Sequence, residues 1–454
     1  MPKKKTALTI EERLQQALVP AEKQPYEVPE NWVWVRLGEV NKYISKSVNP
    51  ISEPDKIFEL YSVPSMVDNY PEIIAGSDIG SSKQSVCKKD VLLCKINPRI
   101  NRVWKVSQFT DNELIASSEW IIIRNNHIDA NYLMYCFQSK YFREFMLSNV
   151  SGVGGSLMRA QPKYVQTYPI PLPPLSEQQR IVERIEELFA KLDEAKERLQ
   201  EVADSFAVRK AAILHKAFMG ELTKQWRLEN GVSDESWEEK KGEDFFEYVT
   251  SGSRGWAKYY SDKGSIFVRM GNLNHGTIEL DLSDIQYVEL PDQVEGQRSK
   301  LQKNDILISI TADVGMIGLV REDMDAYINQ HVALARPKND LYAEFLAWYF
   351  VSDVGLQQMQ NKQRGATKIG LGLQDIRSII LKIPTLPEQH EIVRLIDDLL
   401  ARERAAQQAA EQALASIDLM KKSILARAFR GELGTNKASE ASALELLKQV
   451  LAEN

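Results

Sequence analysis

The chain contains one long stretch twice, and this repeat constrains its fold more than any other feature. The first copy, residues 172–222, opens with Leu-Pro-Pro-Leu-Ser-Glu-Gln and closes with Ala-Phe-Met-Gly-Glu-Leu. The second copy, residues 383–433, opens with Ile-Pro-Thr-Leu-Pro-Glu-Gln and closes with Ala-Phe-Arg-Gly-Glu-Leu. The offset is 211 residues at the opening glutamate (388 − 177) and at the closing glycine (431 − 220), so the copies align without a gap. Such a repeat indicates a duplicated architecture.

Each copy predicts one long helix. Apolar residues recur at alternating steps of four and three, a period that keeps one stripe facing a partner helix. Gly220 and Gly431 stand where glycine commonly ends a helix, and at about 1.5 Å per residue each helix should extend roughly 60–65 Å. Two core helices of an all-α protein are the alternative, but the strand-rich segments between the copies favour a coiled-coil pair. The residues predicted to pair the helices are Ile185, Leu188, Leu192, Leu199, Phe206, Ile396, Leu399, Ala406, Ala413 and Ile417.

The repeat divides the chain into segments. Two strand-rich units, 31–170 and 237–381, precede the helical segments 171–222 and 382–433, and a polar linker occupies 223–236. Segments 1–30 and 434–454 each carry a short amphipathic helix that either packs on the helical core or docks elsewhere. If the long helices run antiparallel, the fold class is α+β: two mixed α/β domains separated by an antiparallel coiled coil, with a pseudo-two-fold internal repeat.

Composition limits the compartment more than the function. The 454 residues should form more than one domain. No apolar run reaches the length of a membrane span, no secretory signal follows Met1, and three cysteines lack paired spacing, so we expect a cytoplasmic protein. The formal net charge of −6 is unusual for a nucleic-acid binder, but net charge does not locate a binding site.

Basic residues concentrate in both units, interleaved with asparagine. Arginine and lysine suit phosphates and guanine edges, and asparagine can pair with adenine. A charge run often forms only a solvated surface, but its presence in both repeated units favours DNA binding. The predicted DNA-binding residues are Lys83, Lys95, Arg99, Asn101, Arg102, Lys105, Arg159, Arg254, Lys258, Arg269, Asn272, Arg298, Lys300, Arg364 and Lys368.

The helix length fits a reader of two DNA half-sites. Dimeric DNA-binding proteins place half-sites roughly 34–36 Å apart, and a rod of the expected length can hold two units at that separation. Because the two units differ in sequence, the geometry predicts an asymmetric two-part site.

Signals of catalysis are weak. The sequence has no phosphate loop of the Gly-x4-Gly-Lys-Ser/Thr kind, and its histidines lack metal-ligand spacing, so we expect no catalytic residue and no metal. The motif Asn97-Pro98-Arg99-Ile100 only faintly resembles the Asn-Pro-Pro-aromatic motif of amino-methyltransferases. Asp90 and Asp305 each precede an apolar strand, as in some nucleases, but the start of a strand after a turn explains them more simply.

The order of these segments closely resembles the specificity (S) subunits of type I restriction–modification enzymes. The motifs that carry the resemblance are Pro-Leu-Pro-Pro-Leu-Ser-Glu-Gln-Gln-Arg-Ile-Val (171–182), Ala-Phe-Met-Gly-Glu-Leu (217–222), Ile-Pro-Thr-Leu-Pro-Glu-Gln-His-Glu-Ile-Val (383–393) and Ala-Phe-Arg-Gly-Glu-Leu (428–433). Residues 29–38, Pro-Glu-Asn-Trp-Val-Trp-Val-Arg-Leu-Gly, resemble the start of the family's first target recognition domain. The resemblance covers nearly the whole chain.

This resemblance implies a non-catalytic subunit of a bacterial or archaeal cytoplasm. Residues 31–170 and 237–381 would be target recognition domains, each reading half of a bipartite site in double-stranded DNA, with the helical regions as spacers. The implied protein partners are two methyltransferase (M) subunits, which methylate adenine N6, and restriction/translocase (R) subunits. These would bind S-adenosylmethionine, ATP and Mg, and this chain would bind no cofactor or membrane. The alternatives are a self-sufficient methyltransferase or nuclease with divergent motifs, and a two-domain protein adaptor that does not bind DNA.

Overall fold

The computed structural model describes residues 8–151, 158–291, 297–339, 341–364 and 370–453. The chain forms two compact units. Unit 1 comprises Met1–Leu199 with Ala413–Asn454, and unit 2 comprises Gln200–Gln412. Each unit combines a strand-rich domain with parts of both repeated helical segments.

Unit 1 contains a five-stranded and a three-stranded sheet. Its strands are β1 (Val33–Arg36), β2 (Ser47–Val48), β3 (Ile57–Tyr61), β4 (Glu72–Ala75), β5 (Lys83–Ser85), β6 (Val91–Cys94), β7 (Val103–Lys105), β8 (Glu113–Ala116), β9 (Trp120–Ile123), β10 (Val150–Ser151), β11 (Arg159–Ala160) and β12 (Pro169–Leu172). The sheets have the orders β2-β5-β8-β3-β4 and β7-β6-β9, and the pairs β1–β12 and β10–β11 are antiparallel. The short helices are α1 (Ile10–Ala17), α2 (Leu37–Val40), α3 (Ala130–Gln138), α4 (Lys140–Ser148) and α5 (Pro162–Val165).

The three-stranded sheet of unit 1 is buried on both faces. Successive side chains of a strand point to opposite faces. On β6, Val91 and Leu93 therefore join the core that contains α3 and α4, while Leu92 and Cys94 join a second core with Trp120. This two-sided burial explains why β6 and β9 are apolar at every position.

The first helical copy is interrupted at Ser205. It forms α6 (Leu175–Asp204) and α7 (Phe206–Phe218), so the prediction of one continuous helix is wrong here. The guanidinium of Arg209 donates to the carbonyl oxygen of Val202 (Nη1–O 3.4 Å, Nη2–O 3.3 Å) and thereby binds a carbonyl next to the interruption. The corresponding residue of the second copy, Met420, has no such donor, and the helix is continuous there.

Unit 2 repeats most of the plan of unit 1. Its strands are β13 (Glu238–Lys241), β14 (Phe246–Ser251), β15 (Tyr260–Ser261), β16 (Ser265–Val268), β17 (Tyr287–Val288), β18 (Ile306–Ser309), β19 (Ile317–Leu319), β20 (Ala326–Ile328), β21 (Val332–Pro337) and β22 (Ile380–Ile383). The sheets have the orders β14-β21-β18-β19 and β15-β17-β16-β20, and β13 pairs with β22. The shorter helices after α7 are α8 (Lys224–Asn230), α9 (Gly242–Phe245), α10 (Ala343–Val351), α11 (Asp353–Asn361) and α12 (Leu373–Arg377).

A buried aspartate begins the corresponding strand of each unit. Asp90 accepts hydrogen bonds from the backbone N–H of Cys87 and from Arg124 (Nε–Oδ1 2.7 Å). Asp305 accepts from the backbone of Gln302 and from Arg336 (Nε–Oδ1 2.7 Å). Buried carboxylates satisfied in this way brace a turn. The geometry therefore agrees with the start of a strand and gives no support to a nuclease site.

The second helical copy forms one helix, α13 (Leu386–Ala428). In unit 1, Asp193 of α6 contacts Lys421 of α13 (Oδ1–Nζ 2.5 Å), and Glu177, nearer the start of α6, contacts Asn436, which lies beyond the end of α13. In unit 2 the order is likewise reversed. Arg209 of α7 contacts Glu403 of α13 (Nε–Oε2 2.6 Å), and Thr223, beyond the end of α7, contacts Glu388 near the start of α13 (Oγ1–Oε1 2.7 Å). The predicted antiparallel packing is therefore confirmed within each unit. Gly220 and Gly431 follow the helices with positive φ angles of 76° and 74°, as predicted.

The predicted pairing residues differ in burial. Ile185, Ile396 and Ile417 are buried, and those that are half-buried are Leu188, Leu192, Leu199, Phe206, Leu399 and Ala413. Ala406 is exposed, so the structure does not support it as a pairing residue. A straight helix rotates about 20° per heptad relative to a strict seven-residue repeat. One turn later, Ala410 is buried instead.

The terminal helices belong to unit 1. α1 begins with a capping box, in which Thr9 and Glu12 bond each other's backbone N–H groups. The final helix, α14 (Ala443–Ala452), contributes Leu447 and Leu451 to the core of unit 1, and Arg13 donates to the carbonyl of Leu451 (Nη1–O 2.5 Å). Of the two possibilities left open by the sequence, packing on the core is the one observed.

A buried Glu-Gln pair joins each long helix to the domain before it. Glu177 accepts from the indole of Trp32 (Nε1–Oε2 2.8 Å), and burial raises the pKa of its carboxyl. Gln178 accepts from the backbone of Asp129 (N–Oε1 2.8 Å) and donates to the carbonyl of Pro173 (Nε2–O 2.9 Å). These bonds fix the direction in which α6 leaves the domain.

The same junction recurs in unit 2. Glu388 accepts from Trp237 (Nε1–Oε1 3.1 Å), Thr223 (Oγ1–Oε1 2.7 Å) and Arg227 (Nη1–Oε1 2.7 Å). Gln389 accepts from the backbone of Tyr342 (N–Oε1 3.0 Å). No helix within the described ranges has both the length and the apolar character that crossing a membrane requires.

Replacing Glu388 with alanine should strongly destabilise unit 2. Removing one partner of a buried ion pair costs about 3–5 kcal/mol, and Arg227 would keep only Asp234, whose side chain is 76% exposed. The free energy of unfolding, measured by urea denaturation, should fall by about that amount for Glu388→Ala. The matched control, Glu411→Ala on the exposed side of α13, should change it by less than about 0.5 kcal/mol. Equal effects of the two substitutions would contradict the importance of the junction.

Candidate nucleic-acid interface

A pocket of about 580 Å³ in unit 2 brings three predicted DNA-binding cations together. Arg254, Lys258 and Arg298 line it with Gln330 and the backbone that follows β14. None of the described residues that line it is acidic. A concave surface of this composition is suited to phosphate and base edges.

The pocket is held by close backbone packing and by aromatic rings. Gly252 lies so near the end of β20 that a Cβ there would be 1.9 Å from the carbonyl oxygen of Ile328, so only glycine allows this approach. The indole of Trp256 is buried and stacks on Phe267 (ring centroids 5.6 Å apart). Arg298 donates to Thr250 (Nε–Oγ1 3.2 Å). The side of the pocket that carries the cations is thus built on fixed elements.

A row of polar side chains leads from the pocket to the next loop. Gln330 contacts His331 (Nε2–Nε2 2.9 Å), and His331 contacts Thr311 (Nδ1–Oγ1 2.6 Å). Thr311 forms a backbone bridge with Gly370, which also bridges to Arg364. Arg364 is 82% exposed and lies 3.1 Å from Asp375 (Nη2–Oδ1). Arg364 therefore stands on a loop connected to the pocket.

The other predicted residues of unit 2 lie elsewhere or are already engaged. Asn272 is only 4% exposed, donates to the carbonyls of Asp281 and Asp284, and accepts from the backbone of Arg269. It is therefore a structural residue of a turn and not part of the candidate interface. The guanidinium of Arg269 pairs with Asp284 (Nη2–Oδ2 2.9 Å). Lys300 bonds Asp325, which raises the pKa of the lysine. Lys368 lies outside the described residues.

In unit 1, predicted cations gather at the end of β6. Lys95 donates to the carbonyl of Ser118 (Nζ–O 2.6 Å), and Arg159 pairs with Glu119 (Nη2–Oε1 3.2 Å). A backbone bridge joins Ile96 to Arg159. Arg99 is exposed on the turn that follows Ile96. This cluster corresponds in the repeat to the loops that carry Thr311 and Arg364.

The remaining predicted residues of unit 1 are not part of that cluster. Asn101 donates to the carbonyl of Gln138 (Nδ2–O 2.9 Å), and Lys105 donates to Asn131 (Nζ–Oδ1 2.5 Å), so both brace α3. Arg102 is half-buried beside Cys94. Lys83 lies on the five-stranded sheet, where burial lowers the pKa of its amine. Asn101 and Lys105 therefore have structural partners that compete with DNA contact.

The sequence interpretation missed Gln330 and His331. Aligning the two units on Arg124 and Arg336 places them opposite Ser118 and Glu119, which contact the cations of unit 1. This alignment of the two units is the sequence feature that points to Gln330 and His331. In the part of the chain that the structure describes, no three His, Cys, Asp or Glu side chains form a group that could hold a metal ion.

The sequence matches the family described as "Type I restriction modification DNA specificity domain" over residues 29–204 and 234–413. The chain belongs to this family. Among its relatives, the EcoBI specificity subunit of Escherichia coli is 30% identical over 306 residues, which cover 63% of this chain and 64% of the relative. The EcoKI specificity subunit of Escherichia coli (strain K12) is 28% identical over 345 residues, which cover 72% of each chain.

Solved structures show the same fold. The HsdS subunit from Thermoanaerobacter tengcongensis superposes with a TM-score of 0.67 at 21% identity, covering 90% of this chain and 99% of that one. A chain from a structural study of complex assembly and conformational transition of the type I restriction–modification system gives 0.66 at 22% identity, covering 90% and 100%. The predicted type I specificity family, its α+β fold and its general function in DNA sequence recognition are thus confirmed.

Removing the pocket cations of this specificity subunit should lower DNA affinity and its salt dependence. Each phosphate contact contributes about −0.9 to the slope of log K against log salt concentration. Arg254→Ala and Arg298→Ala should each flatten this slope by up to about one unit in duplex-binding titrations at several salt concentrations. Arg269→Ala is the matched control, because that arginine already pairs with Asp284. A control slope that flattens as much as those of the pocket variants would argue against the pocket as the contact site.

Proposed function

We propose that this chain is the non-catalytic subunit that reads an asymmetric two-part DNA site for a type I restriction–modification enzyme. Unit 1 would read one half and unit 2 the other. The supporting observation is that equivalent positions of the repeated domains carry different chemistry. Lys95 and Arg159 stand where unit 2 has Ile310 and Gly370, and unit 2 has its own pocket of cations. Two domains that share a backbone fold but differ in their surface residues suit two half-sites of different sequence.

The acidic net charge is compatible with this function. Many acids of the long helices pair with neighbouring cations, as Glu187 does with Arg184 and Lys191, and as Glu391 does with Arg394. By contrast, the described residues that line the pocket of unit 2 include three cations and no acidic residue. Local charge, and not the total, governs attraction of DNA.

The enzymatic steps would belong to partner subunits. Two methyltransferase subunits would dock on the exposed faces of the long helices, and restriction subunits would join that complex in the cytoplasm. S-adenosylmethionine, ATP and Mg²⁺ would be bound by those partners and not by this chain. These partners would also contribute basic surface to the shared DNA.

Methylome sequencing of a host that carries this gene with its partner genes tests the proposal. The expected result is methylated adenine within one bipartite motif whose two halves differ. Methyl transfer or DNA cleavage by the purified chain alone would favour a self-sufficient enzyme instead. A chain that assembles with partners but never selects a DNA sequence would favour a protein adaptor.

Shortening both long helices by one heptad should change the tolerated gap between the half-sites. Residues 190–196 and 416–422 face one another in unit 1, where Asp193 contacts Lys421, so deleting both stretches keeps the antiparallel register. Seven residues of helix measure about 10 Å, which is about three base pairs at roughly 3.4 Å each. The motif should keep both halves and lose about three base pairs of gap. An unchanged gap in a folded variant would contradict the spacer function.

A further inference from the structure

We propose that Gln330 reads an adenine in the half-site recognised by unit 2, and that His331 holds its amide in position. This inference rests on the proposed function, because it names a base and a reading residue within that site. Gln330 is half-buried and lines the same pocket as Arg254 and Arg298.

Two hydrogen bonds fix the imidazole of His331. Its Nε2 lies 2.9 Å from Nε2 of Gln330, and its Nδ1 lies 2.6 Å from Oγ1 of Thr311. Since an amide nitrogen can only donate, the imidazole Nε2 accepts and its proton resides on Nδ1. The neutral ring then donates to Thr311. The backbone N–H of His331 also donates to Asn329 (N–Oδ1 3.0 Å), which holds the strand end in place.

Among the residues that the structure describes, this arrangement leaves the amide of Gln330 with one donor and one acceptor for a base. A glutamine amide has two N–H donors and one carbonyl oxygen. One N–H is used by His331. The remaining N–H and the carbonyl match N7 and the N6 amine of adenine, which present one acceptor and one donor in the major groove. Guanine presents two acceptors there, so its O6 would face the carbonyl oxygen and be disfavoured.

The surroundings place cations beside this amide. Arg254 lies two residues after Gly252. Because Gly252 approaches the carbonyl of Ile328 closely, the loop that carries Arg254 packs beside the end of β20, just before Gln330. A bridge between Ser253 and Asn329 joins the two segments directly. Cations at the pocket can bind phosphates and set the register of the duplex, while the amide reads a base edge. Positioning and reading are thereby divided between neighbouring side chains.

Site selection from duplexes with a randomised half-site, using the full chain with its methyltransferase subunits, tests the inference. Gln330→Ala should reduce the preference for adenine at one position by about tenfold or more, with the other positions and the other half-site unchanged. Gln330→Glu should move the preference at that position toward cytosine, whose N4 amine donates to a carboxylate. Gln225→Ala is the matched control, because that exposed glutamine also bonds a neighbour, Glu229 (Nε2–Oε1 2.8 Å).

His331→Phe tests the positioning residue. It should relax the same position as Gln330→Ala, and the double variant should be no worse than Gln330→Ala alone. A merely structural histidine would instead weaken all positions together. Should Gln330→Ala fail to fold, the result for Gln330→Glu decides.

Three results would overturn the inference. They are an unchanged preference in both Gln330 variants, a uniform loss at every position, and relaxation at a different position in His331→Phe. If the unaltered chain selects a bipartite sequence in these cases, the proposed function stands and only the role of Gln330 is lost. If the unaltered chain selects no sequence, the proposed function fails and this inference with it.

Discussion

The fold depends on a buried glutamate at the start of each repeated helix. Glu177 and Glu388 are both 0% exposed, and each accepts a hydrogen bond from the indole of the tryptophan that begins the preceding domain, Trp32 or Trp237. Such donors offset the cost of burying a carboxylate, and at Glu388 they converge on Oε1. The helix therefore leaves its domain in one direction, and the junction tolerates little change. This explains why the two copies agree closely at their helix starts.

Away from that junction, the same frame carries different surfaces. The bidentate pairs Asp90–Arg124 and Asp305–Arg336 brace the same strand in each unit. The loops that follow these strands differ. Unit 1 places Lys95 and Arg159 beside acidic and carbonyl groups, whereas unit 2 has a hydrogen-bonded Thr-His-Gln row beside a pocket of cations. A DNA-recognition domain needs both, because the residues that brace the fold must stay the same while the residues that contact DNA differ between target sequences.

Local patterns predicted the elements of the fold, whereas individual side-chain contacts, which a sequence does not show, decided the rest. The heptads, the glycine stops and the capping box at Thr9 act within a few residues, so the helices were predictable. The interruption at Ser205 and the exposure of Ala406 depend on neighbouring turns and the opposite helix. Asn272 is a residue type that can pair with a base, but its side chain braces a turn. Gln330 was missed because its proposed role depends on its contact with His331 and on the pocket beside it. Single charges or amides in a sequence do not show such contacts.

The central claim, that one chain carries two independent readers on a shared helical frame, is tested most directly by exchanging one reader. Residues 31–170 would be replaced by the corresponding domain of a relative such as the EcoKI specificity subunit. The methylation motif of the chimera, assembled with its partner subunits, would then be sequenced. The account predicts that one half of the motif changes while the other half and the gap are kept. A motif altered in both halves would contradict it.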